Sequence, residues 1–383
     1  YTWADGSRYA SNSLLSEGKW VKIRVDKTGI YKLSYADLKN MGFSDPSKVS
    51  VHGYGGWPLD EDFSKEYIDD VPSTPVWRGS DYLLFYGKGS VKWEYDSSSQ
   101  TFVHTNNPYS LYGYYFVTDA TPTNDMTSVA QASGASTRIT TYDDYLLHEQ
   151  ELVSVNQSGR EFFGEDFSGA RPRTISTFSS IPGITDADGK VTMRFISRIN
   201  SGSGTASLSI NDSELLDITI PSIQTVSSNV RSYTKAIPGT TTALWKGSKS
   251  EKNNVVVSYS SSGHTNVRLD YIRMQFVRTL RPYGACTFFR SLTSVGNASR
   301  FVISEANSNT LVFDVTDALN VKRVEADLNG SELSFTIPAG RLREFVLVQT
   351  NQTFPSPEVV GEVASSNLHG LEQRDMILSL IHI

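Results

Sequence analysis

Cys286 is the single cysteine in a chain of 383 residues, so any thiol chemistry within this sequence would have to pass through it. A cysteine nucleophile needs a base to form the thiolate and hydrogen-bond donors for the oxyanion that follows. Cys286 lies in Tyr283-Gly284-Ala285-Cys286-Thr287-Phe288-Phe289, where apolar and aromatic neighbours raise a thiol pKa instead of lowering it. Its surroundings therefore predict a small buried core residue. The histidines are His52, His104, His148, His264, His369 and His382. None forms an HxH or HExxH pair, so their spacing gives no zinc site. His369 and His382 read as structural or exposed. No nucleophile, base and oxyanion donor can be assembled, and no catalytic, cofactor-binding or metal-binding residue is assigned.

Two acidic stretches suggest calcium. Asp60, Glu61, Asp62, Asp69 and Asp70 crowd one segment but lack the D-x-D-x-D-G spacing of a calcium loop, which favours a solvated loop. Asp186-Ala187-Asp188-Gly189 resembles the front of such a loop. Its twelfth position is Ser197, where a bidentate Glu is required, so a hairpin turn is expected instead. The glycines of His52-Gly53-Tyr54-Gly55-Gly56 match neither GxGxxG nor a Gly-Lys-Ser/Thr phosphate loop and predict a tight turn. Asp314, Thr316 and Asp317 suit a turn in which side chains bond to local backbone. Trp57, Trp77, Trp93 and the Tyr109, Tyr112, Tyr114, Tyr115 group could stack against sugar rings, although aromatics on alternating strands more often fill cores and cross-strand pairs.

These residues must be positioned mainly by strands. The sequence is 38% hydrophobic, long helical runs are scarce, and Ser, Thr, Gly and Tyr are plentiful. A net charge of −6 offers no basic stripe, which argues against nucleic acid as a partner. No apolar run reaches the roughly 20 residues that would span a bilayer as a helix. With one cysteine there is no intrachain disulfide to indicate a compartment.

Local grammar is densest between Lys19 and Gly56. Val21, Ile23 and Val25 alternate with Lys22, Arg24 and Asp26, predicting a strand; Asp26-Lys27-Thr28-Gly29 turns the chain and Ile30 to Leu33 returns as the second strand of a hairpin. Ser34 and Asp37 have capping-box spacing for a helix of two to three turns ended by Gly42. Val49 to Val51 is a short strand, Asp81–Tyr86 and Val91–Tyr95 read as a hairpin, and Tyr112 to Thr118 is a strand. Residues 1 to 16 read as a loosely held lead-in. Tyr142 to Val153 fits a helix, with a strand as the alternative.

From Phe162 onward, strands recur with turn residues between them. Val191/Met193/Phe195, Ala206/Leu208/Ile210, Leu216/Ile218/Ile220, Val255/Val257/Tyr259 and Val267/Leu269/Tyr271 each alternate, as a β-sandwich or jelly roll requires. Asn211-Asp212-Ser213 and Asn329-Gly330 mark turns. The chain is thus expected to be mainly β: a mixed, mostly β N-terminal domain at 1–138, a jelly-roll-like β-sandwich at 139–280, a small β-sandwich-like domain at 281–354, and a linker at 355–383 ending in an apolar strand, DMILSLIHI.

The stretch GKWVKIRVDKTGIYKLSYADLKNMGFSDPSKVSVHGYGG resembles the start of the mature region of type IX secretion surface sortases, whose peptidase is of the gingipain-like cysteine peptidase family. Further echoes follow in order: Tyr67 to Pro72, Asp81 to Tyr86, Asn107 to Ser110, Leu269 to Ile272, Phe313 to Asp317 and Asn367 to Leu371. The resemblance implies that the catalytic Cys and His belong to an α/β peptidase domain beginning about where this sequence stops, with DMILSLIHI as its first strand. It further implies export by a signal peptide to the surface of a Bacteroidetes-type bacterium, and a parent that cleaves a sorting domain from cargo and transfers the cargo to a surface glycolipid. The expected partners are the chain's own peptidase domain, exported cargo and other surface secretion subunits, and the expected role is bracing and docking without catalysis. A surface glycan-binding or adhesive β-protein is the alternative.

Overall fold

The computed structural model describes residues 10–60, 62, 68–155, 159, 161–169, 171–199, 202–223, 236–261 and 265–372. The architecture is mainly β, as the alternation predicts, and nearly all of its strands pair antiparallel. The expected strand at 375–383 lies outside the described residues.

Trp20–Val25 and Gly29–Ser34 are both strands, but they do not form the predicted hairpin. Trp20–Val25 joins a five-stranded sheet in the order Glu358–Val363, Trp20–Val25, Gly113–Thr118, Ser50–Gly55, Ser73–Thr74. Gly29–Ser34 instead pairs with Tyr82–Gly87 in a three-stranded sheet. The turn at 26–28 is thus a corner between layers. The two sheets enclose Val21, Ile23, Val25, Tyr31, Leu33, Phe85 and Tyr115, because each strand turns its apolar side to the same interior. The predicted hairpin of 81–86 with 91–95 is likewise replaced: Val91–Asp96 pairs with Thr101–Asn106 alone.

Ser34 caps helix Tyr35–Asn40 as its sequence requires. The Asp37 N–H donates to Ser34 Oγ at 3.0 Å, and the Asp37 carboxylate accepts from the Ser34 backbone, completing a capping box. The helix is shorter than expected. Gly42 follows at φ 91°, a conformation glycine adopts without strain. The Gly53–Gly55 segment is strand, not tight turn. The pairing of Ser50–Gly55 with Gly113–Thr118 shifts register between His52 and Gly55. Gly53 has φ 144°, and a Cβ there would lie 2.8 Å from the Tyr114 carbonyl oxygen; glycine is needed for backbone approach within a bulge. Residues 10–16 are held, not loose: the Ala10 and Leu14 N–H groups donate to Asp69 and Asp70, and the Ser13 N–H donates to Asn367.

Two four-stranded sheets form the sandwich. One runs Thr141–Glu149, Thr265–Thr279, Gly189–Ile199, Ile237–Trp245; the other runs Arg173–Thr174, Val255–Ser261, Ser203–Ile210, Ser213–Pro221. Val191, Met193, Phe195, Leu208, Ile220, Val257 and Leu269 fill the interior. The helix considered at 142–153 is the edge strand Thr141–Glu149, because its nine residues pair with the long strand Thr265–Thr279. Asn211 and Asp212 both have positive φ, 51° and 66°, as a two-residue hairpin turn demands. Alternation breaks in Thr265–Thr279. Arg194 pairs with Tyr271 and Phe195 with Leu269, leaving Asp270 as an extra residue. Beyond this bulge the buried core positions are Ile272 and Met274, so Tyr271 does not continue the Val267/Leu269 series.

A third pair of sheets places Ser128–Val129, Lys322–Val324, Thr310–Asp314, Phe345–Gln349 and Cys286–Phe289 over Thr137–Ile139, Ser299–Ile303, Glu332–Ile337 and Asp327–Asn329. Phe289, Phe301, Phe335 and Phe345 interlock at ring centroid distances of 5.2 to 6.3 Å. A further apolar layer joins Ile30, Leu84 and Tyr86 to Phe313, Val346 and Val348, so the three-stranded sheet is buried on both faces.

Replacing Ser34 by Ala removes the cap and is expected to cost about 1 kcal/mol, while Ser34→Asp should retain most of it. Urea denaturation of the two variants checks this ordering.

Candidate functional site

Sequence elements that are far apart converge on Arg290. Its side chain is 2% exposed, and its Nε and Nη2 groups donate to the two oxygens of Glu344 at 2.6 and 2.5 Å. Nη1 donates to the Asp143 carbonyl at 2.9 Å and lies 3.6 Å from the Asp144 carboxylate, which also pairs with Arg278 at 2.8 Å. The guanidinium faces the Tyr145 ring at 4.4 Å. Burial works against the charge, but Glu344, Tyr145 and Asp144 hold the Arg290 pKa well above its ordinary value. Arg290 follows the Cys286–Phe289 strand, Glu344 precedes Phe345–Gln349, and Asp143 to Tyr145 belong to the sandwich edge strand. This is a bidentate ion pair on a buried guanidinium, which holds parts together and leaves the cation no free donor for chemistry.

Beside it, the 91–106 hairpin lies across the outer face of the sandwich. Trp93 stacks on Tyr145 with centroids 4.0 Å apart, and His104 meets Tyr271 edge-on at 4.7 Å. The Gln275 amide brackets Phe102: its Oε1 accepts the Phe102 N–H at 2.9 Å and its Nε2 donates to the Phe102 carbonyl at 3.2 Å. His104 Nε2 is 3.2 Å from Glu149, both side chains being nearly buried.

The structure disperses the residues singled out from sequence. Cys286 is a strand residue packed in the apolar layer with Phe288 and Tyr86, and burial pushes its thiol up to about 12. His52 is buried against Trp20, within 2.9 Å of Thr121 Oγ1, and burial lowers its pKa. His148 lies 2.7 Å from Glu165 and 2.8 Å from Thr177, and His369 lies 3.5 Å from Asp69. His264 and His382 lie outside the described residues. Among the described residues no histidine hydrogen-bonds to the thiol. Asp69 and Asp70 accept the lead-in backbone bonds, Asp186 accepts the Lys249 N–H at 2.8 Å, and Asp314 accepts from Thr316 and pairs with Arg343. Among the described residues no group of three or more His, Cys, Asp or Glu side chains could hold a metal ion.

The aromatic residues part company too. Tyr115 is buried, Trp93 is covered by Tyr145, Trp77 packs on Tyr82, and Trp57 lies 4.9 Å from the Lys88 ammonium. Tyr112 and Tyr114 are covered by Arg24 and Lys22 at 4.1 Å each, which leaves Tyr109 at 86% exposed. Sequence reasoning missed Arg290, Glu344 and Asp144 entirely. For Arg290 and Glu344 the only signal was a charged residue at the end of an apolar strand, a pattern common at exposed strand ends, and Asp144 lies within Thr141–Glu149.

Two outcomes follow. Arg290→Ala should destabilise the protein by about 3 kcal/mol, because it leaves the partly buried Glu344 carboxylate without its cation while Asp144 keeps Arg278, and denaturant titration measures it. Cys286 in the native protein should resist iodoacetamide at about pH 8 and react once unfolded, since the thiolate is scarce and covered; mass spectrometry of the adduct decides.

No protein-family model matches the chain, and no curated protein matches it. Among solved structures, the dimeric latent PorU from Porphyromonas gingivalis is similar at 33% identity with a TM-score of 0.83, over 96% of this chain and 35% of that one. The chain therefore spans about a third of the PorU length. A carbohydrate-binding module from Cellvibrio mixtus lichenase 5A (13% identity, 38% of this chain, 92% of that one) and a CBM35 from Cellvibrio japonicus Abf62 (15%, 36% and 97%) also match, each with a TM-score of 0.18, too low to establish a common fold. Similar in fold along nearly its whole length and identical at a third of the aligned positions, the chain is a PorU-like N-terminal region.

Proposed function

We propose that this chain is the non-catalytic N-terminal region of a cell-surface cysteine peptidase of the type IX secretion sortase kind. It braces a peptidase domain in a longer polypeptide and presents its sheets to exported cargo or partner subunits. The observation that carries this is the PorU likeness over 96% of the chain at 33% identity. The chemistry agrees: burial in an apolar layer raises the one thiol to about 12. The catalytic cysteine and histidine are assigned to polypeptide outside these residues, and the protein to the outer surface of the cell.

A bracing surface should be apolar, exposed and carried on a firm support. Val359 and Val360 are 48% and 50% exposed on the edge strand Glu358–Val363, and Leu368 and Leu371 just beyond it are 71% and 61% exposed. Beneath them, Arg24 forms a two-pronged bond to Glu358 at 2.9 and 2.7 Å, and Lys19 lies 3.5 Å from Glu362. The strand is held to the sheet, and its apolar side chains stay available to a packed neighbour.

Purified chain of this length should show no peptide hydrolysis, and Cys286→Ser should change nothing. Hydrolysis that disappears in Cys286→Ser would end the proposal. With the peptidase domain supplied as a separate polypeptide, Leu368→Asp/Leu371→Asp should weaken association by roughly tenfold or more, about 1.4 kcal/mol, as read by calorimetry. Saturable binding on a glycan array, lost in Trp77→Ala, would instead support an adhesive role.

A further inference from the structure

His148, Glu165 and Thr177 come from three separate segments of the sandwich, and each segment is fixed by backbone bonds. His148 stands on the edge strand Thr141–Glu149, opposite Ile272 of the long strand. Glu165 lies in a segment tied to that long strand: the Gly164 N–H donates to the Leu269 carbonyl at 2.8 Å, and the Leu269 N–H donates to the Glu165 carbonyl at 3.1 Å. Thr177 occupies the single 3-10 turn Ser176–Phe178, joined to the opposite sheet by the Ile175 N–H, which donates to the Val255 carbonyl at 2.8 Å. Ile175 and Phe178 on either side are buried in the sandwich core, while Thr177 itself is exposed.

The three side chains form one hydrogen-bonded line. His148 Nε2 lies 2.7 Å from Glu165 Oε1, and His148 Nδ1 lies 2.8 Å from Thr177 Oγ1. A carboxylate only accepts, so Nε2 carries the proton of the neutral ring and Nδ1 is left to accept from the Thr177 hydroxyl. Burial works against a charge on Glu165, yet the bond from His148 holds its pKa below the usual value. The second oxygen, Oε2, is buried with no hydrogen-bond partner among the described residues. A buried acceptor left unbonded is unfavourable for folding; what it supplies here is a carboxylate whose one side-chain partner is the imidazole. An exposed hydroxyl, an imidazole bonded to it and a carboxylate orienting that imidazole are the parts that activate an oxygen nucleophile.

We propose that Thr177 is an acyl-accepting nucleophile toward carboxylic esters with good leaving groups, with His148 as its general base and Glu165 as the positioning residue behind the imidazole. Thr177 Oγ forms a bond to the ester carbonyl carbon as its proton passes to His148 Nδ1. The bond from that carbon to the alcohol oxygen then breaks, and His148 returns the proton to the departing alkoxide. The products are an acyl-Thr177 ester and a free alcohol. Water repeats the sequence, giving the carboxylic acid and restoring the hydroxyl. While His148 holds both ring protons it is an imidazolium, and the Glu165 carboxylate offsets that charge. The hydroxyl stands on an open surface, which suits small esters. Peptide bonds, with a poorer amine leaving group, lie outside its range, so the assignment is independent of the peptidase reading above.

Treating the whole chain with p-nitrophenyl acetate tests the assignment, with mass spectrometry locating the acetyl group. An ester should appear on Thr177 ahead of acetylation at other hydroxyls. Thr177→Val should lose it, Thr177→Ser should keep it, and Ser176→Ala should leave it unchanged. His148→Gln should slow labelling of Thr177 by roughly a hundredfold, and Glu165→Gln, which keeps an acceptor and removes the charge, by roughly tenfold or more. Proton NMR follows the imidazole separately: a low-field N–H resonance should be present in the wild type, moved upfield in Glu165→Gln and absent in His148→Gln. No acetyl group on Thr177, undiminished labelling in His148→Gln, or a full labelling rate in Glu165→Gln once the resonance has moved would each overturn the proposal.

Discussion

A guanidinium with almost no contact with water must have every donor and its charge answered by the protein. Arg290 meets that demand through Glu344, Asp144 and the Asp143 carbonyl, with the face of Tyr145 closing the last side. Partners from two sheet systems are needed at once, because no single strand can present a carboxylate pair, a carbonyl and a ring to one planar cation. The cost of leaving any of them unanswered is larger than that of a typical surface contact, so the edge of the sandwich is held in one place against the Phe-rich sheets.

Around that point the packing becomes continuous. Phe289 of the Phe289, Phe301, Phe335 and Phe345 cluster immediately precedes Arg290, and the outer face of the same five-stranded sheet meets Ile30, Leu84 and Tyr86. Apolar surface is therefore buried between the sheet pairs as well as within them. The 91–106 hairpin differs: it adds Trp93, Phe102 and His104 to the sandwich face but makes no backbone ladder with it. That attachment is made of ring contacts and the Gln275 amide instead of a main-chain ladder.

The many-sheeted body holds its one thiol in an apolar layer between sheets. Among the described residues, several of the types that could build a site are bonded locally. Asp69 and Asp70 bind backbone N–H groups, Asp314 binds Thr316 and Arg343, and His52 sits among Ser50, Thr121 and Trp20. The fold resembles that of PorU over nearly the whole chain.

By itself the sequence determined what short-range rules control. Alternation at Val191/Met193/Phe195 and Val255/Val257/Tyr259 marked strands and their buried sides, since a period of two follows from backbone geometry alone. Ser34 with Asp37, Asn211-Asp212 and Gly42 marked a cap, a turn and a helix end, because each depends on a few adjacent dihedrals. The apolar setting of Cys286 was also legible, from its aromatic neighbours. Pairing was not. Whether Trp20–Val25 meets Gly29–Ser34 or a strand more than three hundred residues away is settled by which interior both faces can share. The Asp270 bulge, which turns Tyr271 outward, and the strand at Thr141–Glu149, which fits a helical pattern as well, were likewise decided by a neighbouring strand. The Arg290 junction belongs to the same class. A charge at a strand end looks solvated in one dimension, and only the folded arrangement shows that water has been replaced by carboxylates brought from elsewhere in the chain.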